Sequence, residues 1–104
     1  MEFNPTENQT MIAQAVRDLC EREVRPNLMD WDERQYFPKE LFTKHFGPAG
    51  MLGVFVPEEY GGAGLGYHEY VDTIVEVARI CGSIGLSVAA HNSLCTGHIN
   101  YFGN

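Results

Sequence analysis

The 104-residue sequence predicts an all-α domain. Apolar residues recur at helical spacing over residues 12–24 and 67–81, and cap or stop residues bracket those runs. Residues 84–94 then form an almost uncharged stretch of small and apolar side chains, the composition of a packed helix.

The first helix opens at Thr6-Glu7-Asn8-Gln9, a capping-box pattern. The Thr6 hydroxyl can accept from the Gln9 amide while the Gln9 side chain reaches back. Pro5 helps fix the entry. Ile12, Val16, Leu19, Cys20 and Val24 give the apolar face, with Arg17, Asp18, Glu21 and Arg22 opposite. Pro26 ends or kinks the helix near Arg25. Residues 27–35 carry a mixed signal, in which Trp31 reads as a core anchor under a surface loop. Pro38 suits the first position of the next helix. Leu41, Phe42 and Phe46 form its apolar face, and Gly47-Pro48 ends it.

The chain is organised around residues 52–66. A short β-branched and aromatic run stops at Pro57, and Gly61, Gly62, Gly64 and Gly66 come after it. Such density marks a tortuous turn or a backbone that another group approaches closely. An apolar strand, a glycine loop and a helix would suit a nucleotide, but the spacing rejects it. A phosphate loop needs Lys and then Ser or Thr after its last Gly, and here Tyr67-His68 follows Gly66. In the dinucleotide fingerprint, the third Gly would fall on Tyr67 or Glu69. Glu58 and Glu59 would also repel a pyrophosphate.

Beyond the loop, Tyr67, Tyr70, Val71, Ile74, Ala78 and Cys81 form a helical stripe, with His68, Glu69, Asp72, Glu76 and Arg79 facing away. Glu76 and Arg79 are spaced for an exposed pair worth about 0.2–0.5 kcal/mol. Gly82 is the expected stop, and Ser83 the expected cap of the next helix. That helix lacks a charged face and is expected to be enclosed by protein. Gly85, Ser87, Ala89, Ala90, Ser93 and Gly97 keep it thin, so neighbours or a ligand can come close.

Composition narrows the function. A chain this size buries roughly 60–70% of the surface its unfolded form exposes, enough for one core. The formal charge of −7 repels phosphate backbones and anionic lipid, which argues against nucleic-acid and membrane-surface roles. No apolar run approaches the roughly 20 residues of a spanning helix. Met1-Glu2-Phe3-Asn4-Pro5 has neither the basic start nor the apolar centre of a secretory signal. Cys20, Cys81 and Cys95, odd in number and set in apolar segments, suggest reduced buried thiols and a cytoplasmic location.

Two constellations invite chemistry, and each has a plainer reading. His91, Cys95 and His98 stand at i, i+4 and i+7, a spacing able to present zinc ligands. No carboxylate follows on that face, so buried polar residues explain the spacing better and no metal is assigned. Glu58, Glu59, Glu69 and Asp72 could supply an acid–base pair, but a solvated face accounts for them more simply.

The loop Pro57-Glu58-Glu59-Tyr60-Gly61-Gly62-Ala63-Gly64 resembles one in the N-terminal helical domain of the acyl-CoA dehydrogenase family. Three further landmarks keep the family's order. The first is a capped helix running into Pro26 and then Trp31-Asp32. The second is Phe37-Pro38 with Leu41-Phe42, leading to Gly50-Met51-Leu52-Gly53. The third is a small-residue helix with His91-Asn92-Ser93-Leu94, closed by Phe102-Gly103-Asn104.

The resemblance covers residues 6–104, so the whole chain reads as one helical, bundle-like N-terminal domain. It implies a larger flavoprotein, incomplete without a central β domain and a C-terminal helical domain that chiefly hold the FAD. The assembled enzyme would desaturate an acyl-CoA thioester: a carboxylate takes the α-proton and a hydride passes from the β-carbon to the flavin. Electrons would leave through an electron-transferring flavoprotein, and the complete enzyme would be a homo-oligomer, a tetramer or dimer. The resemblance places Leu86, Ser87, Ala90, His91 and Leu94 beside the acyl chain. It assigns this chain no catalytic residue and no cofactor-binding residue, so the fragment alone should be inactive. An acyl-CoA oxidase-like flavoprotein and a non-catalytic helical interaction module remain the alternatives.

Overall fold

The computed structural model describes residues 4–103. Met1, Glu2 and Phe3, part of the signal-peptide reading, and Asn104 of the closing Phe-Gly-Asn lie outside the described residues.

Helix α1 (Glu7–Glu23) starts as the capping box requires: the Gln9 amide donates to Thr6 Oγ1 at 3.1 Å, and the Thr6 amide to Gln9 Oε1 at 3.0 Å. Its inner face is the expected one, with Val16, Leu19, Cys20 and Val24 buried. A 3₁₀ turn over Arg25–Asn27 carries the chain around Pro26 into helix α2 (Leu28–Arg34). Trp31 therefore sits on a helix rather than in a loop, half-buried against the core. After Pro38, Leu41–Phe46 winds as a wide π turn, with Leu41 and Phe46 buried.

Residues 52–56 form turns, and there is no strand among the described residues. The run is too short and too interrupted by loop hydrogen bonds to find a strand partner. Its Gly53, Val54 and Val56 carbonyls instead accept from Ala63, Leu65 and Gly64, at 3.0, 2.9 and 2.9 Å. The glycine loop is thus folded back on the segment that precedes it. Gly61, at φ 87°, ends the 3₁₀ turn Glu58–Tyr60 in the left-handed region where glycine costs least.

Helix α3 (Tyr67–Ile80) packs on α1 and on helix α4 (Gly82–Ala89). Its buried positions are Thr73, Glu76 and Val77, so the inward face is rotated from the predicted stripe; Tyr67 and Val71 are exposed. Glu76 corrects the expectation most sharply. It is 5% exposed, not on the solvent face, because Arg17 of α1 meets its carboxylate. The break after α3 also differs. Cys81 is extended and separates the helices, Gly82 already belongs to α4, and no side-chain cap forms there. Ser83 lies inside the first turn, where its carbonyl accepts from the Ser87 hydroxyl.

From α4 the chain continues through a second wide π turn, Ala90–Thr96, into helix α5 (Gly97–Phe102). Ile84, Gly85, Val88 and Asn92 face inward. The expected enclosure of this helix is corrected: it packs along one face only. Leu86, Leu94, Ile99, Tyr101 and Phe102 are exposed, because none of the described elements lies over the outer side. Gly85 explains the tightness of the inner side. A Cβ there would stand 2.9 Å from the Ala78 Cβ on α3, closer than side chains pack.

The cysteines are free, but only Cys20 is buried; Cys81 is half-buried and Cys95 exposed. Burial pushes the Cys20 thiol up to about 11, so it stays protonated and unreactive at neutral pH.

Candidate functional site

Asn92 positions the final helix from within. It is 1% exposed, and both its amide oxygen and its amide nitrogen are hydrogen-bonded. The Val54 amide donates to its Oδ1 at 3.0 Å, while its Nδ2 donates to the Met51 and Val88 carbonyls at 2.8 and 3.0 Å. One amide side chain therefore fastens the wide turn to the segment leading into the glycine loop. Nearby, the Ser93 hydroxyl and the Tyr70 hydroxyl of α3 both donate to the Ala89 carbonyl, at 2.7 and 3.1 Å. Side-chain donors on i−4 carbonyls compete with the backbone ladder and loosen a helix. Asn92 and Ser93 both bond in this way, and the ladder opens there into the π turn, closing with the Gly97 amide on the Asn92 carbonyl.

The five residues expected beside an acyl chain all lie on this helix. Leu86 and Leu94 point outward, 72% and 69% exposed, and Ala90 is half-buried between them. His91 is exposed, its Nδ1 3.3 Å from Thr96 Oγ1. Ser87 is half-buried and spends its hydroxyl on Ser83. The five do not converge on one hollow. Ser87 borders a hollow of about 330 Å³ with Trp31 and Phe37, whereas His91 borders one of about 280 Å³ with Gly53 and Gly62. What Leu86, Ala90 and Leu94 share is an open, uncharged outer surface. From Ile80 to Asn104 the sequence carries no Asp, Glu, Lys or Arg.

The glycine loop does not fit the pyrophosphate of a flavin dinucleotide. Anion cradles need free amide N–H groups, and those of this loop are spent internally. Gly61 donates to the Glu58 carbonyl, Gly62 to Pro57, Ala63 to Gly53 and Gly64 to Val56, while Gly66 donates to Glu69 Oε2 at 3.2 Å. Glu69 is thereby a helix cap, which removes it from any acid–base pair. Among the described residues no three His, Cys, Asp or Glu side chains gather closely enough to hold a metal ion. No helix among them is long and apolar enough to cross a membrane.

Sequence reasoning treated Asn92 as a landmark and missed its clamping role. An Asn isolated in an uncharged helix was the available signal, because a buried amide must find partners.

Known proteins share this architecture. The family profile "Acyl-CoA dehydrogenase, N-terminal domain" matches residues 6–104. The short-chain specific acyl-CoA dehydrogenase of Clostridium acetobutylicum is 40% identical over 103 residues, spanning 99% of this chain and 27% of the relative. The human mitochondrial short-chain specific acyl-CoA dehydrogenase is 39% identical over 98 residues, covering 94% and 24% respectively. The solved butyryl-CoA dehydrogenase of Megasphaera elsdenii superposes with a TM-score of 0.92 at 27% identity, over 100% of this chain and 28% of its own. A chain in the structure of the electron transferring flavoprotein of Acidaminococcus fermentans superposes at 0.94 with 34% identity, over 100% and 27%. The chain spans about a quarter of the length of the relatives it matches.

Proposed function

Because this chain belongs to the acyl-CoA dehydrogenase family, as an all-helical N-terminal domain, we propose that it forms the apolar wall against which the acyl chain of a CoA thioester lies. The single observation that carries this reading is the outer surface of the helix from Gly82 to Phe102. Leu86, Ala90 and Leu94 recur there four apart on an uncharged, open side, while Ile84, Val88 and Asn92 hold the opposite side to the core. An alkyl tail gains free energy by covering such a surface, about 0.8 kcal/mol for each CH₂ removed from water. Ser87 and His91 flank the stripe.

The domain's own contribution is shape and the exclusion of water around the thioester. FAD, which the family reading implies for the complete α,β-desaturating enzyme, is offered no free amide by the glycine loop of this chain. Most of its binding, and the proton-abstracting carboxylate, are assigned to regions beyond this chain. The same proposal includes an electron-transferring flavoprotein as acceptor, a homo-oligomeric complete enzyme and a cytoplasmic location. An acyl-CoA oxidase-like flavoprotein could use an identical wall, since nothing on it selects the electron acceptor.

The test is a chimera in which this chain replaces the matching quarter of the Clostridium acetobutylicum enzyme. Ala90→Phe should lower kcat/KM for hexanoyl-CoA at least ~10-fold more than for butyryl-CoA, because a pocket distinguishes chains by the methylenes it can accept. Equal loss for both thioesters would overturn the placement of Ala90.

A further inference from the structure

A pocket of about 150 Å³ opens between α1, α3 and the residues flanking the glycine loop, and none of the five acyl-wall residues lines it. Its floor is Val16, Leu19, Met51, Val54 and Thr73, all buried. Ala15 and Ala63 stand at its mouth, where larger aliphatic side chains would close it. The pocket opens to solvent at this mouth, and its aliphatic floor is apolar surface that no side chain of the described residues covers.

The lining also dictates what can enter. Thr73 is its one polar side chain, and the hydroxyl is spent on the Glu69 carbonyl at 2.9 Å. The backbone amides around it are spent too. Gly50 donates to Gly47, Met51 to Phe46, Ala63 to Gly53 and Leu65 to Val54, while the Val54 amide is held by Asn92. A buried water requires two to four polar partners, and an ion requires a counter-charge; the lining has no charged side chain, and the donors named above are already spent.

We infer that this pocket is a binding site for one compact, uncharged hydrocarbon of about benzene size. An apolar cavity of ~150 Å³ lined by aliphatic residues stays dry and accepts benzene or xenon. The inference goes beyond the acyl-wall reading and does not rest on it.

Benzene titrated into the methyl-labelled 104-residue chain and followed by ¹H–¹³C NMR tests it. Saturable shifts are expected at the Leu19, Met51 and Val54 methyls, with Leu86 and Leu94 unmoved, together with a rise in Tm. Ala15→Leu places a strong helix former at an exposed helical position, and Ala63→Leu fills the mouth from the loop side. Either variant that folds, judged by dispersion of its methyl spectrum, should bind benzene at least tenfold more weakly. Both occupy mouth positions at which the floor is left unchanged. Absence of saturable shifts in the parent chain overturns the inference. So does undiminished binding in a folded variant, or a response confined to Leu86 and Leu94.

Discussion

Arg17 and Glu76 meet across 59 residues of sequence through two parallel hydrogen bonds, Nε to Oε2 at 2.9 Å and Nη2 to Oε1 at 3.0 Å. The pair joins the middle of α1 to the inner face of α3, and Arg79 adds a longer contact of 3.3 Å. A forked guanidinium matches a carboxylate in both charge and shape, which makes this the strongest form of side-chain ion pair.

The pair makes stability depend on acid. Hydrogen bonding to Arg17 holds the Glu76 carboxyl below its ordinary range, outweighing the upward push of burial. A native pKa below the unfolded value of about 4.3 means that the contribution is complete above that pH. It is lost as pH falls through the lower native pKa. Glu76→Gln should cost about 1–2 kcal/mol at pH 7, a modest figure because solvent reaches the Arg17 side of the pair. In urea melts from pH 7 to pH 3 the difference between parent and variant should hold down to about pH 4.3 and shrink below it. A constant difference across that range would contradict the linkage.

Asn92 is the position where a single change should damage the fold most. Asn92→Ala strands the Val54 amide and the Met51 carbonyl inside the core, each costing about 1–3 kcal/mol. Asn92→Asp keeps an acceptor for Val54 but loses both donors and places a carboxylate against two carbonyls. Both variants should lose more than ~2 kcal/mol by chemical denaturation, with Asp at least as harmful as Ala. A loss below ~1 kcal/mol for Asn92→Asp would show that the amide is not the fastening group.

Gly85 sets the spacing between α3 and α4. Replacing Gly by Ala within a helix ordinarily gains about 0.5–1 kcal/mol. Here the new methyl would lie 2.9 Å from the Ala78 Cβ and 3.0 Å from its Cα. Overpacking of that kind costs roughly 1–3 kcal/mol, so the clash wins and Gly85→Ala should lower Tm. Adding Ala78→Gly removes the opposing methyl and should recover part of the loss. Additive effects in the double variant would rule out contact between these two positions.

Much of the fold was legible because its signals are local. Thr6 and Gln9 announce α1 by a reciprocal cap, and Pro26 and Pro38 punctuate the two elements after it. The rejection of a phosphate loop was legible from spacing, and the internally spent amides of residues 61–66 give its physical counterpart. Glu76 was not legible, since an acidic residue on an amphipathic helix normally seeks water. Only the approach of Arg17 from a distant segment reverses that preference. The wide turn at Ala90–Thr96 was hidden for a related reason: it depends on Asn92 bonding to Met51 and Val54, which no helical period encodes. For the candidate site, the stripe of Leu86, Ala90 and Leu94 could be drawn from spacing, but its ligand came from resemblance alone.

On the proposed acyl-wall reading, adhesion and selectivity are divided between the two sides of the helix from Gly82 to Phe102. Ile84, Gly85, Val88 and Asn92 do the gluing, so exchanges at the exposed Leu86 and Leu94 should leave the domain's cohesion almost untouched. If the outer side is the acyl wall proposed above, such a rod could be re-tailored for longer, shorter or branched cargo one outward side chain at a time. A lineage of such proteins could change its diet without relearning how to fold.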